Sequence, residues 1–141
     1  MSRLRLGLEL DGASRGRQVR DIVQTLARLH GVKGALLVGT EGFVIAAEVP
    51  EGVAVEPLAA LAGKLGRDLG VGASRLGRGA FQTALFSADD GTLCLATSPI
   101  GFVVALAEPQ ASLQAVRAAL AEAVGLIEAA WSESAARPPS A

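Results

Sequence analysis

Few side chains in this 141-residue chain could do chemistry, because it has one histidine and one cysteine. His30 ends a predicted helix, a position that favours interaction with the last helical carbonyl groups. Cys94 stands between two leucines of a predicted strand, which is typical of a buried thiol that packs as a small apolar residue. A nucleophile–base pair would need the fold to bring these two distant residues together. We therefore predict a structural role for both.

Two other clusters resemble catalytic or ligand sites only superficially. Asp89 and Asp90 precede Gly91, a pattern typical of a turn, and no further metal ligand stands nearby in the sequence. The glycine-rich stretch 70–79 suggests a phosphate loop, but it follows a helix and precedes a strand, which is the reverse of the order such loops need. We predict a mobile basic loop at 70–79, either solvated or docked on an acidic patch of a partner. The sequence thus predicts no catalytic, cofactor-binding or metal-binding residue, and no enzyme.

Composition excludes several classes of protein. The chain carries 13 Lys and Arg against 14 Asp and Glu, whereas a nucleic-acid-binding protein needs a basic surplus. A single cysteine excludes a disulfide framework and a multi-cysteine zinc site. No apolar run is long enough to span a membrane, and the charges of Arg3, Arg5 and Glu9 do not fit a signal peptide. We expect a cytoplasmic, soluble protein of one domain.

Charge is segregated along the chain. The net charge is +3 over 1–30, −3 over 31–60, +3 over 61–80 and −4 over 81–141. Such blocks can steer a complementary protein partner, and they can equally be solvated helix faces. The candidate partner-contact residues are Arg67, Arg75 and Arg78.

Hydrophobic periodicity predicts eight elements in the order α-β-β-α-β-β-β-α. They are a helix over 17–30, strands over 32–38 and 43–48, a helix over 55–69, strands over 81–87, 92–98 and 102–107, and a helix from Pro109 to 131. This order indicates an α/β (α+β) fold in which helices cover both faces of a five-stranded antiparallel sheet. We predict an N-terminal arm over 1–14, with a turn at Asp11–Ser14, and a disordered tail over 132–141.

The N-terminal arm has a period of two, because Leu4, Leu6, Leu8 and Leu10 alternate with Arg3, Arg5, Gly7 and Glu9. That period predicts a strand or an arm that pairs with another element. Within the domain, the strands over 32–38, 43–48 and 102–107 are apolar on both faces and should be central. The strand over 81–87 is interrupted by polar residues, so we predict an edge that can pair with another chain.

The helix over 55–69 has two apolar sides. Its leucines point in one direction, and small residues from Ala59 to Gly70 cluster about 100° away. Interior glycines cost about 1 kcal/mol each in a helix, which suggests that this small-residue side lies close to another backbone. That backbone is either the protein's own sheet or the same helix of a second subunit. The candidate dimer-interface residues are Ala59, Gly63, Gly66, Phe81, Thr83 and Leu85.

Residues Leu29–Ala46 contain a helix end with Gly-Val, an aliphatic strand, an acidic-Gly turn and a second strand. This segment resembles the signature of Roadblock/LC7 domains, and Gly91–Ala96 with Val103–Leu106 is similar to the family's closing strands. The resemblance covers about residues 17–131, although the same pattern also occurs in profilin-like and longin-like domains. The leucine arm does not map to the family.

The resemblance implies a homodimer in which the third strands join across a twofold axis and the second helices lie side by side. Bacterial members of the family bind Ras-like small GTPases and can stimulate GTP hydrolysis without supplying a catalytic residue. The resemblance therefore predicts a homodimeric, non-catalytic regulator or adaptor of a Ras-like small GTPase. The alternative is a ligand-sensing or scaffolding module of profilin-like or longin-like shape, without a GTPase partner.

Overall fold

The computed structural model describes the backbone of residues 11–136 and the side chains of residues 14–132. The elements are α1 (Asp11–Ala27), β1 (Val32–Val38), β2 (Val44–Glu48), α2 (Val55–Arg75), β3 (Thr83–Ala88), β4 (Gly91–Ser98), β5 (Gly101–Ala107) and α3 (Leu113–Ala136). The predicted order of helices and strands is confirmed. The leucine arm predicted over 4–10 lies outside the described residues.

The five strands form one antiparallel sheet in the order β2-β1-β5-β4-β3. The predictions that β1 and β5 are central and that β3 is an edge are confirmed. The central position predicted for β2 is wrong, because β5 pairs with the other side of β1 and leaves β2 at the second edge. The apolar side chains that suggested burial are largely exposed, with Phe43 at 57% and Ile45 at 39%.

Helices cover both faces of the sheet, as predicted. On one face α1 and α3 pack against the sheet and against each other, and α2 packs alone on the other face. The first layer includes Val23, Leu37, Val103, Leu120 and Ile127. The second layer includes Leu36, Val38, Ala59, Phe102 and Val104. The alternation of β1 and β5 side chains between the two cores explains why both strands are continuously apolar.

Several predicted boundaries differ from the structure. Helix α1 begins at Asp11, so the turn predicted at Asp11–Ser14 is wrong, and it ends at Ala27 rather than at His30. A turn over 28–31 follows, in which Gly31 has a φ of +86° that favours glycine. Helix α3 continues to Ala136, five residues into the predicted disordered tail.

Helix α2 is also longer than predicted and runs through the glycine-rich stretch to Arg75. The prediction of a loop over all of 70–79 is therefore wrong, and only residues 76–79 follow the helix within that stretch. Gly70 and Gly72 have ordinary helical backbones. The helix ends where the backbone N–H of Leu76 donates to the carbonyl of Gly72 and Gly77 takes a φ of +69°.

Candidate interaction surface

Strand β3 projects beyond both helix layers. Among the described residues it pairs only with β4, while α2 packs mainly on β1, β2, β4 and β5, and α3 packs on β4 and β5. Leu85 is 41% exposed and Phe86 is 65% exposed. Leu85 lies opposite Cys94, on the α1/α3 face, and Phe86 lies opposite Leu93, on the α2 face. The strand therefore exposes an apolar side chain on each face, beside a backbone edge with which no residue of the described part of the chain pairs.

The small-residue side of α2 rests on the protein's own sheet. A Cβ atom on Gly63 would lie 2.7 Å from the Cα of Gly42, and a Cβ on Gly66 would lie 2.4 Å from the ring of Phe102. Ala59 is fully buried. These three residues cannot reach a second subunit in this fold, so their assignment to a dimer interface is corrected. The other predicted possibility, that the glycines seat the helix on its own sheet, is what the structure shows.

The leucine side of α2 is the exposed one. Leu61 is 51% exposed, Leu69 is 38% exposed and Leu76 is 77% exposed. An open groove of about 430 Å³ separates the end of this helix from the start of β3, and its lining includes Leu69, Leu76 and Thr83. The apolar flank of the helix thus continues toward the exposed strand. We call the following set the β3–α2 surface: Leu61, Leu69, Leu76, Leu85 and Phe86.

The other predicted interface residues lie around the base of β3. Phe81 precedes the strand and packs on Phe102, with ring centroids 6.4 Å apart. Thr83 is the first residue of β3, opposite Ala96. Only Thr83 and Leu85 of the six predicted residues therefore lie on the edge strand itself.

Sequence analysis missed Phe86 and the exposed leucines of α2. The helical spacing places two apolar stripes on α2, and nothing in that spacing says which stripe is buried. The interior glycines were the signal that could have identified the buried stripe. Their cost to helix stability is offset where a neighbouring backbone or ring must come close.

The three candidate partner-contact arginines are all exposed but do not form one cluster. The Nη1 atom of Arg67 donates a hydrogen bond to the carbonyl oxygen of Thr40, which fastens α2 to the β1–β2 turn. Arg75 is the last residue of α2. Arg78 lines the groove between α2 and β3. The structure thus places Arg78 beside the β3–α2 surface and gives Arg67 a structural contact of its own.

The residues with chemical potential are dispersed. Cys94 is fully buried, and desolvation raises the pKa of its thiol to about 11, so its predicted packing role is confirmed. His30 is exposed in the turn after α1, and Asp89 and Asp90 form the turn between β3 and β4. Within the part of the chain that the structure describes, no three His, Cys, Asp or Glu residues form a group able to hold a metal ion. No helix in that part has the length and apolar character needed to cross a bilayer.

Residues 18–108, from the second turn of α1 to the end of β5, match the Roadblock/LC7 domain. The chain belongs to the Roadblock/LC7 family. Among solved structures, this Roadblock/LC7 protein is similar to Myxococcus xanthus MglB, with a TM-score of 0.79, 17% identity, and coverage of 89% of this chain and 95% of that one. It is also similar to the gliding protein MglB of Thermus thermophilus, with a TM-score of 0.73, 19% identity, and coverage of 84% of this chain and 92% of that one.

Two further comparisons agree. An MglB with a tetrameric arrangement has a TM-score of 0.75 at 23% identity, and the match covers 86% of this chain and 93% of that one. An uncharacterized protein of Methanocaldococcus jannaschii, MJ0310, is 25% identical over 108 residues, which are 77% of this chain and 95% of the relative. At these identities the solved structures establish the shared fold of this Roadblock/LC7 protein.

Proposed function

We propose that this Roadblock/LC7 protein is a homodimeric, non-catalytic regulator or adaptor that binds a Ras-like small GTPase and modulates its GTP hydrolysis. The observation that carries the proposal is the β3–α2 surface. It combines a strand edge that no described residue pairs with and exposed apolar side chains on both faces of that strand. Such a combination favours association with another chain.

A second copy of this chain fits that surface. If two β3 strands pair across a twofold axis, each strand supplies the hydrogen-bond donors and acceptors that the other lacks, and the interface is self-complementary. The partner's sheet then continues this one, so that Leu85 is covered on the α1/α3 face and Phe86 is covered on the α2 face. The leucine flanks of the two α2 helices approach each other on the α2 face. Twofold pairing therefore uses all five residues of the surface.

The GTPase part of the proposal is supported by family membership and by the fold shared with MglB. Within the described residues no three His, Cys, Asp or Glu side chains form a group that could hold a metal ion. In this proposal the chain acts by holding or repositioning the groups of its partner. Exposed Arg75 and Arg78 lie at the end of α2 and beside the groove, where they would meet an acidic patch of the partner.

The dimer is tested by substitution of Phe86, which is 65% exposed, with Leu126 on α3 as the matched control at 53% exposed. Phe86→Glu should convert the dimer to a monomer in sedimentation velocity, because two carboxylates would be buried beside a strand edge. Leu126→Glu should leave the dimer intact. Equal behaviour of the two variants, or a monomeric parent protein, would contradict the proposed interface.

The GTPase partner is tested separately with Ras-like GTPases encoded in the same genome. The parent protein, Phe86→Glu and Leu126→Glu are each immobilised and incubated with the GTPase bound to GDP or to a non-hydrolysable GTP analogue. GTP turnover is then measured with and without each protein. Failure to bind either nucleotide state would reject the GTPase role and favour the ligand-sensing or scaffolding alternative.

A further inference from the structure

The outer surface of the helix pair α1 and α3 carries an open groove of about 300 Å³, which we call the α1/α3 groove. Every described residue of its lining belongs to α1, to α3 or to the turn after α1, so the groove faces away from the sheet. Leu126 stands at its rim and is 53% exposed. The other apolar side chains of the lining are Ile22, Leu26, Leu29, Ala119 and Ala123. The groove is therefore an apolar surface that no described part of the chain covers.

This groove is separate from the β3–α2 surface. Helix α1 packs on β1 and β2, and α3 packs on β4 and β5, so the line between the two helices runs over the middle of the sheet. Pairing of two β3 strands extends the sheet at its edge and leaves that line uncovered. A partner bound in the α1/α3 groove would therefore not compete with the proposed dimer.

The length and the walls of the groove suit a helix. The groove follows α3 from Ala119 to Leu126, which is about 10 Å or two helical turns. Both walls are helices, so an extended segment laid between them would leave its backbone N–H and C=O groups without partners over apolar side chains. A helix satisfies its own backbone groups and can pack its side chains between those of two other helices. Close approach is possible because Ala118, Gly125 and Ala129, which the helical period places beside the rim, are small and exposed.

The charges at the groove indicate the sign of its occupant. The ionisable side chains among the described lining residues are the carboxylates of Asp21 on α1 and Glu122 on α3, and both residues are exposed. Arg17 and Arg28 belong to the same part of the chain but do not line the groove. Two carboxylates on opposite walls of an apolar groove favour a partner that carries Lys or Arg beside its apolar side chains.

We propose that the α1/α3 groove binds an amphipathic helix of a partner protein, with apolar residues at i, i+3 or i+4 and i+7 and with Lys or Arg beside that stripe. The apolar stripe covers Leu126 and the floor of the groove, and the basic side chains meet Asp21 and Glu122. Each subunit then has a second docking surface, on the opposite face of the sheet from α2. The protein can hold this partner while its β3–α2 surface is occupied.

The proposal is tested with a library of helical peptides of about 18 residues, selected for binding to the full-length protein. Fluorescence anisotropy measures the dissociation constants of the selected peptides. Gly125→Gln should weaken binding at least about tenfold, because its side chain would stand where the two helices approach. The matched control, Ala121→Gln on another exposed side of α3, should leave binding unchanged. Neither variant should lower the melting temperature, since nothing lies within 4 Å of the Cβ position of Gly125 and Ala121 is exposed.

The sign of the charge is tested with the same peptides. The double variant Asp21→Asn and Glu122→Gln should weaken binding by about tenfold at low salt and by less at high salt. The control, Asp90→Asn with Glu128→Gln, removes the same charge at exposed sites outside the groove and should have little effect.

Three outcomes would overturn the proposal. The first is that the selected peptides are acidic or uncharged, or that the two double variants weaken binding equally. The second is that no peptide distinguishes Gly125→Gln from Ala121→Gln. The third is a smaller assembly for Gly125→Gln than for the parent protein in sedimentation velocity, since the occupant of the groove would then be a second copy of this chain.

Discussion

Gly66 lies directly against the ring of Phe102, so that a Cβ atom at residue 66 would be 2.4 Å from a ring carbon. This contact, together with that of Gly63 on Gly42, fixes which side of α2 faces the sheet. The larger leucines are consequently turned toward β3 and solvent. Because the glycine side of the helix packs closely on the sheet, its leucine side is exposed and could contact a second subunit.

The glycine contacts predict opposite effects of one substitution at two positions in the same helix. Gly66→Ala should lower the free energy of unfolding by about 1–3 kcal/mol, because the added methyl group displaces the Phe102 ring. Gly70→Ala should raise it by about 0.5–1 kcal/mol, since nothing lies within 4 Å of its Cβ position. Urea denaturation at fixed protein concentration measures both. Destabilisation by Gly70→Ala equal to that by Gly66→Ala would contradict the packing of the Gly66 side of α2 against Phe102.

The hydrogen bond from Arg67 to the Thr40 carbonyl predicts a second contrast within α2. Arg67→Ala should destabilise the protein by about 1 kcal/mol, because it removes the charged donor of the hydrogen bond to the Thr40 carbonyl in the β1–β2 turn. Lys64→Ala removes an exposed ion pair with Asp68 at 2.9 Å, which contributes at most about 0.5 kcal/mol. The melting temperatures of Arg67→Ala and Lys64→Ala, measured at two salt concentrations, distinguish the hydrogen bond from the ion pair. If both variants have the same melting temperature, the Thr40 contact contributes no stability.

Cys94 predicts a loss of stability at high pH. Burial raises the pKa of its thiol to about 11 in the folded protein, above the ordinary value of the unfolded chain. The unfolded state therefore loses the proton first as pH rises from about 9 to about 11, and folding weakens in that window. The limiting slope is about 1.4 kcal/mol per pH unit.

Cys94→Ala is the control for this prediction, because it removes the titrating thiol and keeps a small side chain. From about pH 6 to about pH 8, the difference in unfolding free energy between parent and variant should stay constant to within about 0.3 kcal/mol. Above about pH 9 the parent should lose stability faster than the variant. A difference that stays constant up to about pH 11 would mean that the thiol is not desolvated.

Most of the fold was predictable from sequence because it depends on local pattern. The continuous apolar runs of β1 and β5 and the polar interruptions near the start of β3 identified two central strands and one edge. The central position assigned to β2 failed because its side chains are apolar but exposed. Strand order is decided by long-range pairing, here of β5 with β1, which no period within β2 encodes.

The interaction surface was less predictable than the fold. Two stripes of α2 are apolar, and only the contacts of Gly63 and Gly66 decide which one is buried. Phe86 could not be distinguished from a core aromatic by its neighbours in sequence. Its exposure follows from its place on the edge strand, to one side of the strands on which the helices mainly pack, and that place is a property of the assembled layers.

The basic end of α2 predicts electrostatic steering of the proposed GTPase partner. The double variant Arg75→Glu and Arg78→Glu should slow association by about tenfold at low salt, because both arginines are exposed at the basic end of α2. The matched control is Arg117→Glu with Lys33→Glu, which makes the same total charge change at exposed sites outside 61–80. Stopped-flow association rates at low and high salt measure the effect, and the difference should shrink at high salt. Equal slowing by the two double variants would show that net charge, rather than this position, controls association.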